Sequence, residues 1–312
     1  MYFFYKIKIN RFWIIFLVIF VYVSITFFAD ITKITYNFQK VNYEYLILIL
    51  FIETIAITVK SIRQKEFLKN IGVKISFKEN FLIYLAGLSF VATPGGAGTL
   101  IKAEFLKRKY GFDRSKTVPV IILERFHDIL AVTSVIIFIL LFLFNWPSMI
   151  VVIISVGLIS AVYLILRNKS LLKKLLSRIS KIKYFEKYTP KSVFNDSIDA
   201  LIRPKVIVKG WAISLLAWFI EGLGVYVSFL AFKQDVDFFS VIQFYFTSLN
   251  YGAISLIPGG VGVTESSFLG LLLLEGLDLS LSTAIVLFVR ITTIWFATIL
   301  GFLAYRYAFK NS

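Results

Sequence analysis

The sequence predicts an all-α polytopic membrane protein of six spans and two re-entrant Pro-Gly-Gly hairpins, arranged as an inverted repeat. Three observations lead there. The 312 residues are 58% hydrophobic with a mean hydropathy of +0.82, values outside those of soluble domains. Pro94-Gly95-Gly96-Ala97-Gly98 recurs as Pro258-Gly259-Gly260-Val261-Gly262, each copy inside an apolar region. Lys and Arg also gather in alternate connections, as expected when basic loops stay on the cytoplasmic side.

Composition excludes several functions. The chain has no cysteine and a single histidine, His127, so thiolate nucleophiles and His-based or thiolate metal centres are not expected. No cofactor and no catalytic residue are predicted. The formal charge of +16 points in a membrane protein to cytoplasmic loops and anionic headgroups, with no nucleic acid as partner. The phosphate-binding loop signature of ATP-driven pumps is missing.

The first span is expected over roughly Phe12–Ala29, behind Lys6, Lys8 and Arg11. Phe27-Phe28-Ala29 offers no small-x-small cleavage site, so the span reads as uncleaved. A second span covers roughly Tyr43–Val59, and a basic loop follows with Lys60, Arg63, Lys65, Lys69, Lys74 and Lys78. Phe81 to Thr93 is apolar but short of the roughly 20 helical residues that cross hydrocarbon. Pro94-Gly95-Gly96 turns the chain and a second short arm ends at Lys107-Arg108-Lys109, giving a hairpin that enters and leaves on the basic side. The third span, roughly Thr117–Phe144, carries Glu124, Arg125, His127 and Asp128, and Asn145-Trp146-Pro147 turns into a fourth ending near Leu166.

A basic cytoplasmic segment, 167–205, comes next. Its leucines recur at helical spacing among Lys and Arg, which predicts an interfacial helix lying on an anionic leaflet or capping the bundle. The fifth span is roughly Val206–Phe232. The arms around the second break are longer, which also allows two full crossings there, and the sixth span covers roughly Leu281–Ala304. With the N-terminus inside, the outer links hold only Lys33, Lys40 and Lys233 of the 34 Lys and Arg. Both termini are then cytoplasmic, and residues 1–144 and 146–308 form halves of opposite orientation. Such repeats carry their site near the midplane, between broken helices.

Charges within hydrocarbon cost about 2.5–3.5 kcal/mol each on insertion scales, so each needs a partner or a use. Here they fall in pairs. Glu53 and Glu221 lie in spans two and five, and Glu104 and Glu265 follow the two breaks. Arg125 lies 31 positions after Pro94, and Arg290 lies 32 after Pro258. Glu124, Asp128 and Lys102 occur only in the first half. The arginines can hold a phosphate in a bidentate fork, with Lys102 a further cation. Backbone N–H groups of Gly95, Gly96, Gly98, Gly259, Gly260 and Gly262 would add anion donors. The carboxylates are expected in coupling or in charge pairing. His127 and Asp128 adjoin in sequence, and helical neighbours do not face each other, so no catalytic dyad is expected. Trp218 and Trp295 read as packing residues.

The two glycine motifs, with Glu124-Arg125 and Asp128 after the first and Glu265 and Arg290 after the second, resemble the lysylphosphatidylglycerol synthase transmembrane-region family. That family includes the flippase-like membrane domain of the multiple peptide resistance factor. The resemblance covers nearly the whole chain and implies movement of a lipid with a phosphate-containing headgroup, such as aminoacylated phosphatidylglycerol or a polyprenyl-linked sugar. It implies no enzyme, because the soluble aminoacyl-tRNA-dependent transferase domain of the bifunctional relatives has no room before Ser312. An intramembrane enzyme or accessory subunit of (glyco)lipid synthesis is the alternative. Implied partners are the lipid substrate and a lipid-modifying enzyme or glycosyltransferase, at the cell membrane.

Overall fold

A computed structural model of the chain describes residues 30–91, 98–179 and 192–310. The expected first span, Pro94, Gly95 and Gly96, and Lys181 and Lys183 lie outside the described residues. Within them every regular element is helical.

Four helices are long and apolar enough to cross a membrane: α2 (Glu44–Asn70), α6 (Trp146–Arg167), α9 (Pro204–Ala231) and the continuous stretch Leu279–Ala308. That stretch comprises α12 (Leu279–Arg290), a π turn (Ile291–Trp295) and most of α13 (Phe296–Lys310). The equally long α5 (Arg114–Leu140) carries Glu124, Arg125 and Asp128 mid-helix and is not among the four. Ahead of α2 lies the short α1 (Ile31–Gln39), whose N-cap Asp30 accepts from the Thr32 and Lys33 amides. Polar boundary residues cap three of these helices as capping physics favours. Asp113 caps α5, Asn145 caps α6 with Pro147 in its first turn, and Asp278 caps α12.

Each Pro-Gly-Gly segment separates two shorter helices. In the first half these are α3 (Phe77–Leu88), opened by a Ser76–Glu79 capping box, and α4 (Ile101–Tyr110). In the second they are α10 (Phe238–Ile254) and α11 (Val263–Leu274). With 12, 10, 17 and 12 residues they reach about 18, 15, 25 and 18 Å, against about 30 Å of hydrocarbon.

α2 and α9 make the most extensive helix–helix contact, and they run antiparallel. Lys60 meets Glu221, Glu66 meets Lys209, and the Asn42 amide donates to the Ala231 carbonyl. The C-terminal end of α2 therefore lies beside the N-terminal end of α9. Because α3 follows the former and α10 follows the C-terminal end of α9, the two broken pairs enter the bundle from opposite ends. α13 then packs along α3 so closely that a Cβ on Gly301 would stand 2.4 Å from the Ser89 nitrogen.

The sequence boundary that needs correction is the end of the second span. Lys60, Arg63, Lys65 and Lys69 lie on α2, not in a loop. Arg63 is buried there, because Asp128 and Ser214 receive its guanidinium. Charges read as loop when their partners are remote in sequence. The 167–205 segment does form helices, α7 (Lys169–Ile179) and α8 (Ser192–Leu201). Phe194, Ile198 and Leu201 of α8 are buried against the bundle, whereas α7 buries Leu172 and leaves Leu171 and Leu175 exposed.

Candidate functional site

The antiparallel pair, the third span and the second break enclose a cavity of about 400 Å³. Glu53, Ile57 and Lys60 face it from one side of α2, at the helical spacing that aligns them. Arg125 and Asp128 come from α5, Trp218 and Glu221 from α9, and Tyr245 and Asn250 from α10. Gly259 and Gly260 belong to the second break, Arg290 ends α12, and Thr293 sits in the π turn. Tyr84, Leu88 and Val91 bring the first broken pair to the same space. π turns of this kind frequently sit at functional sites, where they re-aim a helix face.

Most of the charges are neutralised in place. Lys60 Nζ lies 2.5 Å from Glu221 Oε2 and 3.7 Å from the Trp218 ring centroid. Tyr245 donates to the other Glu221 oxygen at 2.7 Å. Asp128 accepts from Arg63 at 2.7 Å and from the Trp218 indole at 3.2 Å. Trp218 is thus a wall of the cavity and a hydrogen-bond donor, a role its apolar surroundings in the sequence did not signal.

Arg290 and Arg125 differ. Arg290 Nε donates to Glu265 at 2.7 Å and Nη2 to the Gly259 carbonyl at 2.8 Å, with its side chain 3% exposed. Arg125 is 40% exposed, its ion pair with Asp128 is 3.5 Å long, and among the described residues its buried Nε has no hydrogen-bond partner. Glu53 also lines the cavity and makes no hydrogen bond or ion pair among the described residues. The open cation and the open carboxylate therefore belong to Arg125 and Glu53.

Several predicted groups stand elsewhere. Lys102, expected as a binding cation, is buried against Glu124 and does not line this cavity. Glu104, in the first turn of α4, accepts from Arg108 and bidentately from Arg114. The amides of Gly260 and Gly262 are already used: the first donates to the Ile257 carbonyl, the second to Glu265. They offer no anion donors in this conformation, because positive φ at Gly259, Gly260 and Gly262 folds the turn onto itself. Gly98 opens a short 3-10 turn ahead of α4, outside the cavity wall.

The expected correspondence of Glu104 with Glu265 and of Arg125 with Arg290 also changes. In each half, the helix after the break is tied to the next long helix by a buried ion pair. In the first half Lys102 on α4 meets Glu124 on α5, and in the second Glu265 on α11 meets Arg290 on α12. The charges are exchanged between the halves, which comparison of residue types could not reveal. His127 lies between the Leu123 and Ile207 carbonyls, at 2.7 and 3.2 Å, and does not reach the cavity. No cluster of three or more His, Cys, Asp or Glu able to hold a metal occurs among the described residues.

Known proteins agree with a membrane assignment. A UPF0104 membrane protein of Methanocaldococcus jannaschii is 24% identical over 96% of this chain and 95% of its own length. One from Pyrococcus horikoshii is 23% identical over 88% of the chain and 90% of its length. A shorter match, 37% identical over 28% of the chain and 27% of the relative, is to a UPF0104 membrane protein of Methanothermobacter thermautotrophicus. The profile of the lysylphosphatidylglycerol synthase transmembrane region matches residues 13–301, and the chain therefore belongs to that family of membrane proteins.

Proposed function

We propose that this protein moves a lipid with a phosphate-containing headgroup between the leaflets of the cell membrane by alternating access. The observation that carries the proposal is the cavity in which Arg125 stands without a full complement of partners. A guanidinium so placed costs free energy unless something anionic completes it, and a phosphate matches its planar fork. The cavity volume lies within the range of small-molecule sites and suits a headgroup. Acyl chains would leave past Leu256 and Leu158, which line the cavity and are 68% and 39% exposed.

In this reading the two broken pairs are re-entrant hairpins within six spans, and residues 1–144 and 146–308 form an inverted repeat. Rocking of one half against the other, with the π turn beside Arg290 as a flexing point, exposes Arg125 to each leaflet in turn. Arg290 serves the second hairpin, holding Gly259 and Glu265 together. Glu53 takes the role of coupling carboxylate or partner for a cationic part of the headgroup. The N- and C-termini face the cytoplasm, and α7 lies on the anionic leaflet, where a lipid-modifying enzyme or glycosyltransferase can dock. The protein carries out no chemistry on the lipid.

Reconstitution tests this directly. Proteoliposomes with labelled phosphatidylglycerol or a labelled polyprenyl phosphate are expected to lose label asymmetry faster than empty vesicles. Arg125→Ala is expected to slow this by about tenfold or more, the loss of a charge-assisted contact. Equal rates for wild type and Arg125→Ala would remove the basis of the proposal.

A further inference from the structure

A second cavity, of about 350 Å³, lies between the C-terminal end of α2 and the N-terminal end of α9, away from the charged chamber. Lys69, Lys205 and Lys209 rim it, opposed by the single carboxylate Glu66, which takes Lys209 at 2.7 Å. The floor is apolar, built of Val206, Gly210 and Ile213. The positive end of the 28-residue α9 adds to the field, and Arg203 at its N-cap makes no side-chain capping bond. Three ammonium groups against one carboxylate make this a cation-rich pocket with a greasy base.

We infer that this pocket binds the phosphate headgroup of an anionic lipid, as a site separate from the transport cavity. Two features favour a lipid over a soluble phosphate. Lysines lie at the rim and apolar groups beneath, the order in which a lipid presents headgroup and chain. The helix surfaces leading away from the pocket are apolar and open: Ile62 on α2 is 40% exposed, and Val208 and Leu216 on α9 are 60% and 53% exposed. Basic residues at the ends of membrane helices attract anionic headgroups, each strengthening binding several-fold. Glu66 acts against the ligand, because it already holds one of the three ammonium groups.

That antagonism gives the test a sign. Phosphatidylglycerol is titrated into the full-length protein in detergent and the first bound lipid is followed by native mass spectrometry, with phosphatidylcholine as the uncharged comparison. Lys205→Gln/Lys209→Gln is expected to weaken phosphatidylglycerol binding by about tenfold. Glu66→Gln is expected to strengthen it by about two- to fivefold, since it frees Lys209 from an exposed pair of little structural worth. Repeating the titrations in an Arg125→Ala background removes the transport cavity's contribution, so the lysine and Glu66 effects are expected to persist there if they belong to this pocket. Wild-type affinity in the double lysine variant overturns the proposal, and so does Glu66→Gln weakening binding as the lysine variant does. Displacement of the lipid by an equal concentration of inorganic phosphate overturns the choice of a lipid as occupant.

Discussion

Arg125 and Arg290 stand at nearly equal distances after their Pro-Gly-Gly segments, yet their guanidinium groups are held in opposite ways. The Arg290 side chain is enclosed by Glu265 and the Gly259 carbonyl, whereas Arg125 meets Asp128 only across a long contact among the described residues. Their substitutions should separate accordingly. Arg290→Ala removes the guanidinium from a buried ion pair with Glu265, and breaking such a pair costs about 3–5 kcal/mol; a lowered midpoint in thermal unfolding is the expected readout. Arg125→Ala should unfold near the wild-type midpoint while transport falls. The buried Lys102–Glu124 pair offers a converse test. Lys102→Met alone strands Glu124, whose Oε1 has no hydrogen bond among the described residues, and should destabilise. Adding Glu124→Leu should return the midpoint to within about 1.5 kcal/mol of wild type, because buried pairs exchange well for apolar residues of similar volume. A double variant as unstable as the single would show that the charges themselves are required. His127→Ala is expected to leave lipid movement intact, since the imidazole is enclosed by two carbonyls outside the cavity. Loss of movement in a folded His127→Ala protein would favour acid/base chemistry.

At the scale of elements, the apolar runs were legible and the helix ends near charge were not. Spans four, five and six agree with their helices to within a few residues, because lipid-facing composition and capping residues mark them. α2 overruns its expected end by 11 residues, from Val59 to Asn70, because Lys60 and Arg63 find their carboxylates on α9 and α5. No local pattern announces a partner more than sixty positions away. The same limit hid Trp218, Tyr245 and Lys60 as cavity groups. The glycine motifs marked the breaks, but the Gly260 and Gly262 amides expected as anion donors are spent within the second turn. Element packing is testable at Gly301, where α13 meets the α3 backbone: a Cβ there would lie 2.6 Å from the Leu85 carbonyl oxygen. Backbone cannot yield as a side chain can, so Gly301→Val should cost about 1–3 kcal/mol or more, seen as reduced thermal stability. Unchanged stability would mean that the two helices can part freely.

Across the whole molecule, the antiparallel α2–α9 pair sends one broken helix pair in from each end, and both reach one chamber with charges from each half. The distribution of Lys and Arg predicts halves of opposite orientation, and what the packing adds is the antiparallel contact of α2 with α9. Unequal treatment of the two arginines was not legible, since it depends on which carboxylate each side chain meets. A chain without cysteine also accepts single cysteines or photoreactive residues without background. The most direct measurement is photo-crosslinking with a lipid carrying a photoreactive group beside its phosphate, mapped by mass spectrometry in reconstituted wild type and Arg125→Ala. The account predicts labelled peptides around Arg125, Ala253 and Thr293, lost in the variant. Labelling confined to the outer surface, or unchanged when the guanidinium is removed, would contradict it.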